Sequence, residues 1–149
     1  MEITVKGFGR GEAIPKMFTC DYNDVSPAIE ISGVPQVAKS LAMILDDPDA
    51  PGGLFTHWIA YDIKADTKYI AEGAGNGKVM RSSMNDFGRY GYGGPCPPPG
   101  KPHRYYFTLY ALSAESIQAG SGRRGIDEAM IGKILEKASY MGTYKRVIK

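Results

Sequence analysis

A chain of 149 residues, 43% hydrophobic and 23% charged, has the make-up of one ordinary globular domain spanning 1–149, long enough to bury a core without staples. Its formal net charge of +2 gives no support to a nucleic-acid partner, whose footprint requires a strong basic excess on one face. No apolar run reaches membrane-spanning length, and Met1 to Lys6 lacks a charged start followed by a hydrophobic core, so the expectation is a cytoplasmic protein without a membrane span.

In chain order, Ile3 to Phe8 alternates apolar and polar residues and reads as an edge strand that Gly9 to Pro15 interrupts. The Asx-rich stretch Asp21 to Asp24 leads through Ser26-Pro27 as a turn into a short strand over Ala28 to Ile31. Ser40 to Leu45 is a nearly unbroken apolar run and reads as a central buried strand ending at Asp46-Asp47. A loop over Pro48 to Thr56 then precedes a strand over His57 to Ile63. Paired antiparallel, these two strands put Asp47 and His57 at one edge of the sheet, with Asp47 sharing parity with Leu41, Met43 and Leu45, and His57 with Ile59 and Ile63.

Glu72 to Lys78 has the composition of a mobile loop. It is not a phosphate-binding loop: the spacing Gly73 to Gly77-Lys78 is one residue short, and Val79 stands where a Ser or Thr is required. Gly91 to Pro102 holds five of the ten prolines, which fix φ, among glycines that free it. This shaped loop delivers His103 to the strongest strand signal of the chain, His103 to Leu112, where His103, Tyr105, Phe107, Leu109 and Ala111 fall on one face. Gln118 to Gly125 reads as a loop. Asp127 opens the one expected helix, whose apolar stripe is Ile131, Ile134, Leu135 and Ala138, and Gly142 ends it. Tyr144 to Ile148 reads as a last strand. A mostly antiparallel β domain with one packed helix results, a mainly β fold.

His57 and His103 are the only histidines of the chain, and each adjoins a proline-bearing loop. The central expectation is that Asp47, His57 and His103 meet in one polar pocket, with Asp47 beside His57, while Asp46 and Asp49 cap turns. Three chemistries could use such a set. A carboxylate can hold a histidine protonated to bind an anion, helped by backbone N–H groups. Two histidines and a carboxylate can form a facial metal triad. Hydrolysis, with Asp47 orienting His57 as a base, lacks a nucleophile elbow and is disfavoured. The first two remain open on the residues alone. Cys20 and Cys96 form neither a metal knuckle nor a redox pair and are expected as buried free thiols, a mutual disulfide being the alternative.

These residues resemble the phosphatidylethanolamine-binding protein family, which includes the Raf kinase inhibitor protein, and most closely its bacterial and archaeal branch. Asp46-Asp47-Pro48-Asp49-Ala50-Pro51 with His57-Trp58 is similar to the first family signature, and Gly93-Gly94-Pro95-Cys96-Pro97-Pro98-Pro99-Gly100 with His103-Arg104-Tyr105 to the second. Phe18-Thr19-Cys20-Asp21, Ser26-Pro27, Asn85-Asp86-Phe87-Gly88 and Gly142-Thr143-Tyr144 match as well, and Lys133 departs from the branch's usual histidine.

The resemblance implies a central antiparallel sheet with a smaller sheet, and a rim cavity accepting phosphate, phosphorylated head groups or carboxylates. By position, Asp47, His57 and His103 would line it, with Pro97 and Tyr105 beside them and Pro51 shaping its edge. It implies no required metal or cofactor and no catalysis, a cis Ala50–Pro51 bond, and a homodimer. The vertebrate branch's carboxy-terminal extension does not follow Tyr144, which implies a more open cavity. The function expected is non-enzymatic binding of small anionic groups, with a regulatory role. The alternatives are a surface inhibitor of a protease or kinase and, behind it, a hydrolase.

Overall fold

The computed structural model describes residues 1–77 and 80–147. Among the described residues eight strands form two antiparallel sheets: β1 (Glu2–Val5), β2 (Ile29–Ser32) and β5 (Tyr69–Ile70) in the smaller, and β6 (Arg81–Ser82), β4 (Phe55–Lys64), β3 (Ser40–Asp47), β7 (His103–Leu112) and β8 (Ile134–Tyr144), in that order, in the larger. β3 is the middle strand of five, which explains its unbroken apolar run: both of its faces are covered. Leu41, Met43 and Leu45 enter the core between the sheets, while Ala42 and Ile44 join Ile59, Leu112, Ile126 and Met130 under α1 (Gly122–Met130) on the opposite face. The expected face of β7 holds, with Tyr105, Phe107, Leu109 and Ala111 all fully buried in the inter-sheet core.

The carboxy-terminal third departs from expectation. The helix starts at Gly122 and stops at Met130, and the supposed stripe is not one: Ile131, Ile134 and Leu135 are exposed, and Ile134 begins β8. Gly132, at φ 75°, turns the chain between helix and strand. Pairing then outweighs helical spacing, because β7 would otherwise present an open edge along its whole length, and β8 covers it from Leu112↔Ile134 to His103↔Tyr144. Gly142 ends nothing. It lies within β8 opposite Tyr105, so close to Phe8 and Ile14 that a Cβ would collide with the Phe8 ring and the Ile14 side chain. Tyr144 is the last residue of β8 rather than the start of a strand, and residue 148 of the expected final strand lies outside the described residues.

The segment expected to be mobile is tied down as far as it is described. Ala74–Asn76 forms a single 3₁₀ turn; Gly75 N–H donates to Ser26 Oγ, Asn76 Oδ1 accepts from Ser26 N–H at 2.6 Å, and Gly75 lies against the Trp58 ring. Residue 78 of that segment lies outside the described residues.

Two irregularities in the β3–β4 pairing set which way β4 side chains point. Leu45 opposes Trp58 while Asp46 opposes Thr56, leaving His57 as the extra residue of a bulge. A second shift lies between Leu41↔Ile63 and Met43↔Ala60, where Asp62 takes a φ of 54°. Simple alternation therefore fails along this strand: Trp58, Ala60 and Ile63 enter the inter-sheet core, and Ile59 enters the other.

Candidate functional site

The bulge re-aims His57 toward the end of the inter-sheet core, where β7 presents His103 and Tyr105 and β3 ends at Asp47. All four line one cavity of about 160 Å³. They are withdrawn from bulk solvent, at 3% exposure for Asp47, 3% for His57, 8% for His103 and 0% for Tyr105. Pro51 and Pro97 stand in the wall, as the resemblance implies, together with Phe55, Phe87 and Pro98.

The carboxylate is not paired with the expected histidine. Asp47 Oδ2 accepts from His103 Nδ1 at 2.7 Å, across 56 residues of sequence, and Asp47 Oδ1 accepts from Asp49 N–H at 2.7 Å. His57 is held by the proline-rich loop: its Nδ1 lies 2.8 Å from the Gly93 carbonyl and 3.1 Å from that of Gly94. Carbonyls only accept, so Nδ1 carries the hydrogen and Nε2 is the ring nitrogen left for the cavity. The same holds for His103, whose Nδ1–H is taken by a carboxylate. The reason for the changed pairing is the β3–β7 register, which lays Asp46 opposite Tyr106 and so carries the end of β3 alongside the start of β7, whereas the bulge turns His57 toward the loop.

Burial drives the His57 ring below the ordinary histidine range, against the opposing pull of the Gly93 carbonyl and the Asp47 carboxylate. Burial likewise pushes the Tyr105 hydroxyl far above its usual value, with the Asp47 charge adding to it. That hydroxyl is buried without a hydrogen bond of acceptable geometry, one of two such side-chain atoms among the described residues. Aromatic edges grip His57 on several sides: Phe55 at 4.9 Å, Phe87 at 5.2 Å and Tyr105 at 5.4 Å between ring centroids.

Neither Asp46 nor Asp49 is a simple turn cap. Asp46 points to the opposite face, where Arg123 Nη1 of α1 donates to its carboxylate at 2.6 Å and Thr56 Oγ1 donates at 2.9 Å. Asp49 accepts from the backbone N–H, Nε and Nη2 of Arg104, and this guanidinium holds its carboxyl down at about 2. Asp49 thereby clamps the 48–54 loop to the start of β7. The Ala50–Pro51 bond is trans, against the resemblance's implication, since no cis peptide occurs among the described residues. The turn closes without one: Gly53 N–H donates to the Ala50 carbonyl at 2.9 Å, with proline and glycine where a tight turn accepts them.

The loop over 91–102 is fixed by its own bonds rather than by proline alone. Tyr92 Oη donates to the Phe18 carbonyl at 2.6 Å, Gly94 N–H donates to Asp24 Oδ1 at 2.8 Å, and Asn85 Nδ2 donates to the Gly91 carbonyl at 2.9 Å. Cys20 and Cys96 form a disulfide, correcting the expectation of free thiols. They are 76 residues apart in sequence, but Cys20 N–H already donates to the Pro95 carbonyl, so the two segments run side by side. Cys96 is itself part of the cavity wall. Phe55, Phe87 and the Gly93 and Gly94 carbonyls were not singled out from sequence. Phe87 lies in the quoted Asn85-Asp86-Phe87-Gly88 match, whereas Phe55 was hidden inside a loop that ends two residues earlier than expected.

The profile of the phosphatidylethanolamine-binding protein family matches residues 4–145. The chain belongs to the phosphatidylethanolamine-binding protein family. Among its relatives, a UPF0098 protein of Aquifex aeolicus is 47% identical over 152 residues, covering 98% of this chain and 89% of the other. One from Pyrococcus horikoshii is 42% identical over 147 residues, covering 93% and 74%. Of solved structures, a phosphatidylethanolamine-binding protein homologue of Chlamydia trachomatis superposes with a TM-score of 0.89 at 38% identity, over 97% of each chain. Escherichia coli YbcL, described as a member of the mammalian family, does so with a TM-score of 0.90 at 31% identity, over 99% of this chain and 98% of the other. The two antiparallel sheets and the short helix are thus the phosphatidylethanolamine-binding protein fold.

Proposed function

We propose that this member of the phosphatidylethanolamine-binding protein family is a non-enzymatic binding protein for small phosphate-bearing or related anionic groups, held in the cavity between β3, β4 and β7. The observation that carries it is the arrangement of the two imidazoles. Both are anchored through Nδ1, one on a carboxylate and one on two carbonyls, and both line one cavity beside a buried Tyr105 hydroxyl that lacks a protein partner. A buried hydroxyl without a partner is costly, by about 1–3 kcal/mol, and a ligand oxygen would supply the missing bond. The cavity is of a size for a single tetrahedral group, and its other walls are proline and phenylalanine.

The same walls weigh against hydrolysis. Tyr105 carries the one hydroxyl among the lining residues, its ionisation is suppressed by burial, and the Cys96 sulfur is bonded to Cys20. The metal alternative loses its carboxylate, since Asp47 is committed to His103 and Asp49, and no set of three ligating side chains converges among the described residues.

Calorimetry with phosphate and phosphoethanolamine tests the reading, with His103→Ala as the control. Saturable binding by the wild type and its loss in the variant are expected. Equal heats from both proteins would remove the cavity from the account, and turnover of generic phosphoesters above background would overturn the non-enzymatic part.

A further inference from the structure

The Cys20–Cys96 disulfide has unlike surroundings at its two ends. Both cysteines are half-buried rather than enclosed. Arg146, two residues beyond β8, lays its guanidinium between the two segments that the bond joins. Its Nε donates to Asp21 Oδ1 at 2.9 Å, Nη2 lies at the same distance from that oxygen, and Nη1 points an N–H at Cys96 Sγ across 3.8 Å. Asp21 directly follows Cys20, and its other oxygen accepts from Tyr144 Oη at 2.6 Å.

The charged groups around Cys96 are Arg146, then Arg89 behind the Phe87 ring at 5.2 Å, and, across the cavity, Asp47, His57 and His103. Of these, Asp47 already accepts from His103 and from the Asp49 amide. Beside Cys20 stands the Asp21 carboxylate, with Lys16 acting on it. The Tyr144 hydrogen bond and the Arg146 charge hold the Asp21 carboxyl below the usual range against the opposing effect of burial, so it is ionised at neutral pH. Negative charge on Cys96 therefore meets a cation, and on Cys20 an anion.

A disulfide sulfur is a weak hydrogen-bond acceptor and a thiolate a strong one. The Arg146 N–H thus contributes little while the bond is closed and most when charge collects on Cys96. In thiol–disulfide exchange that charge collects on the departing sulfur, and a thiol of lower pKa departs faster.

We propose that this disulfide is a thiol-exchange site with a fixed direction, opened by a low-molecular-weight thiol at Cys20 Sγ with Cys96 as the leaving group. The thiolate of the small molecule bonds to Cys20 Sγ, the Cys20–Cys96 bond breaks, and its electron pair departs on Cys96 Sγ against the Arg146 guanidinium. Cys20 is left as a mixed disulfide with the small thiol. The Cys96 thiolate reverses the step by attacking Cys20 Sγ and expelling that thiol, and the Cys20 N–H bond to the Pro95 carbonyl keeps the two segments together for it. Nothing in this chemistry depends on what the cavity binds.

The test treats folded wild-type protein with 2-mercaptoethanol at neutral pH, stops the exchange with acid and locates the adduct by peptide mass. The adduct is expected predominantly on Cys20. Equal labelling of the two cysteines, an adduct mainly on Cys96, or no opening without denaturant overturns the proposal. Arg146→Gln removes the charge and is expected to slow opening by about threefold or more. A residue that merely clamped the segment would give faster opening when lost, so an unchanged or faster rate also overturns the proposal. In Cys20→Ser, iodoacetamide alkylation of Cys96 followed against pH should place its thiol below the ordinary value of about 8.5. A thiol at or above that value in the folded variant would remove the leaving-group role of Cys96.

Discussion

His57 and Gly93 hydrogen-bond to each other twice: the glycine N–H donates to the histidine carbonyl at 3.0 Å, and the histidine Nδ1–H donates to the glycine carbonyl at 2.8 Å. Backbone and side chain of the bulged residue are thus both read by one residue of the proline-rich loop. The bulge, the loop and the ring orientation stand or fall together, which makes this loop the element that decides what His57 offers to a ligand.

Gly94 is the place to test that dependence. Its amide is held by Asp24, and a Cβ there would run into the Phe18 carbonyl and the Asp24 carboxylate, both fixed groups. Gly94→Ala must therefore move the loop and with it the carbonyls that grip His57. We expect a loss of about 1–3 kcal/mol in stability, the usual cost of overpacking, and at least a tenfold loss of phosphate affinity. Denaturant unfolding and calorimetry check both, and an unaltered affinity would show that loop and ring are independent.

Asp47→Ala removes the acceptor of two donors, the buried His103 Nδ1–H and the Asp49 N–H. Leaving a buried donor unsatisfied costs about 1–3 kcal/mol, and the His103 ring loses what fixes its tautomer. A drop in stability of that order is expected, with phosphate binding weakened tenfold or more. Arg123→Met serves as a comparison, because it breaks the Asp46 ion pair on the far face of the same sheet. It should cost stability and leave affinity within about twofold of the wild type, the two sites lying on opposite faces. Loss of binding in both variants alike would mean that the sheet end responds only to global weakening.

Much of this site was legible in the sequence, and the failures share a cause. The period-two face of β7 put His103 beside Tyr105 because that strand pairs without a shift from His103 to Ala111 on the β8 side. β4 contains two irregularities, which no alternation rule anticipates, so the partner of Asp47 could not be read from strand order. The helix misreading at 131–138 came from apolar residues that remain exposed, a pattern that resembles burial until pairing with β7 is known. The disulfide was invisible for a similar reason: nothing in the spacing of Cys20 and Cys96 reveals that Pro95 already hydrogen-bonds to Cys20.

The disulfide joins one wall of the cavity to the connection between β1 and β2. Closing a loop between residues 76 apart restricts the unfolded chain, which on the chain-entropy account contributes about 4 kcal/mol. Cys20→Ser with Cys96→Ser is expected to lose a large part of this in denaturant unfolding. Because Pro95 and Gly94 retain their hydrogen bonds to Cys20 N–H and Asp24, phosphate affinity should fall by less than about fivefold. A larger loss in a folded double variant would make the bond part of the binding apparatus and not only of the frame.

The acid side of the stability profile should separate two contributions. Burial holds the folded His57 ring below the ordinary histidine value, so as pH falls the unfolded chain takes up that proton first. Its contribution is therefore complete above about pH 6.5, the ordinary value, and is lost as pH falls below it. Asp49 acts lower: held down at about 2 by Arg104, it contributes above the usual carboxylate range and loses that contribution as pH falls through about 2. Stability measured by urea unfolding from pH 8 to pH 2 should then decline in two stages. His57→Gln is expected to flatten the upper stage, removing up to about one proton from the slope below about pH 6.5, and Asp49→Asn the lower. Superimposable upper stages for wild type and His57→Gln would show that the ring is not buried in its neutral form, and the hydrogen-bond assignment at Nε2 would fail with it.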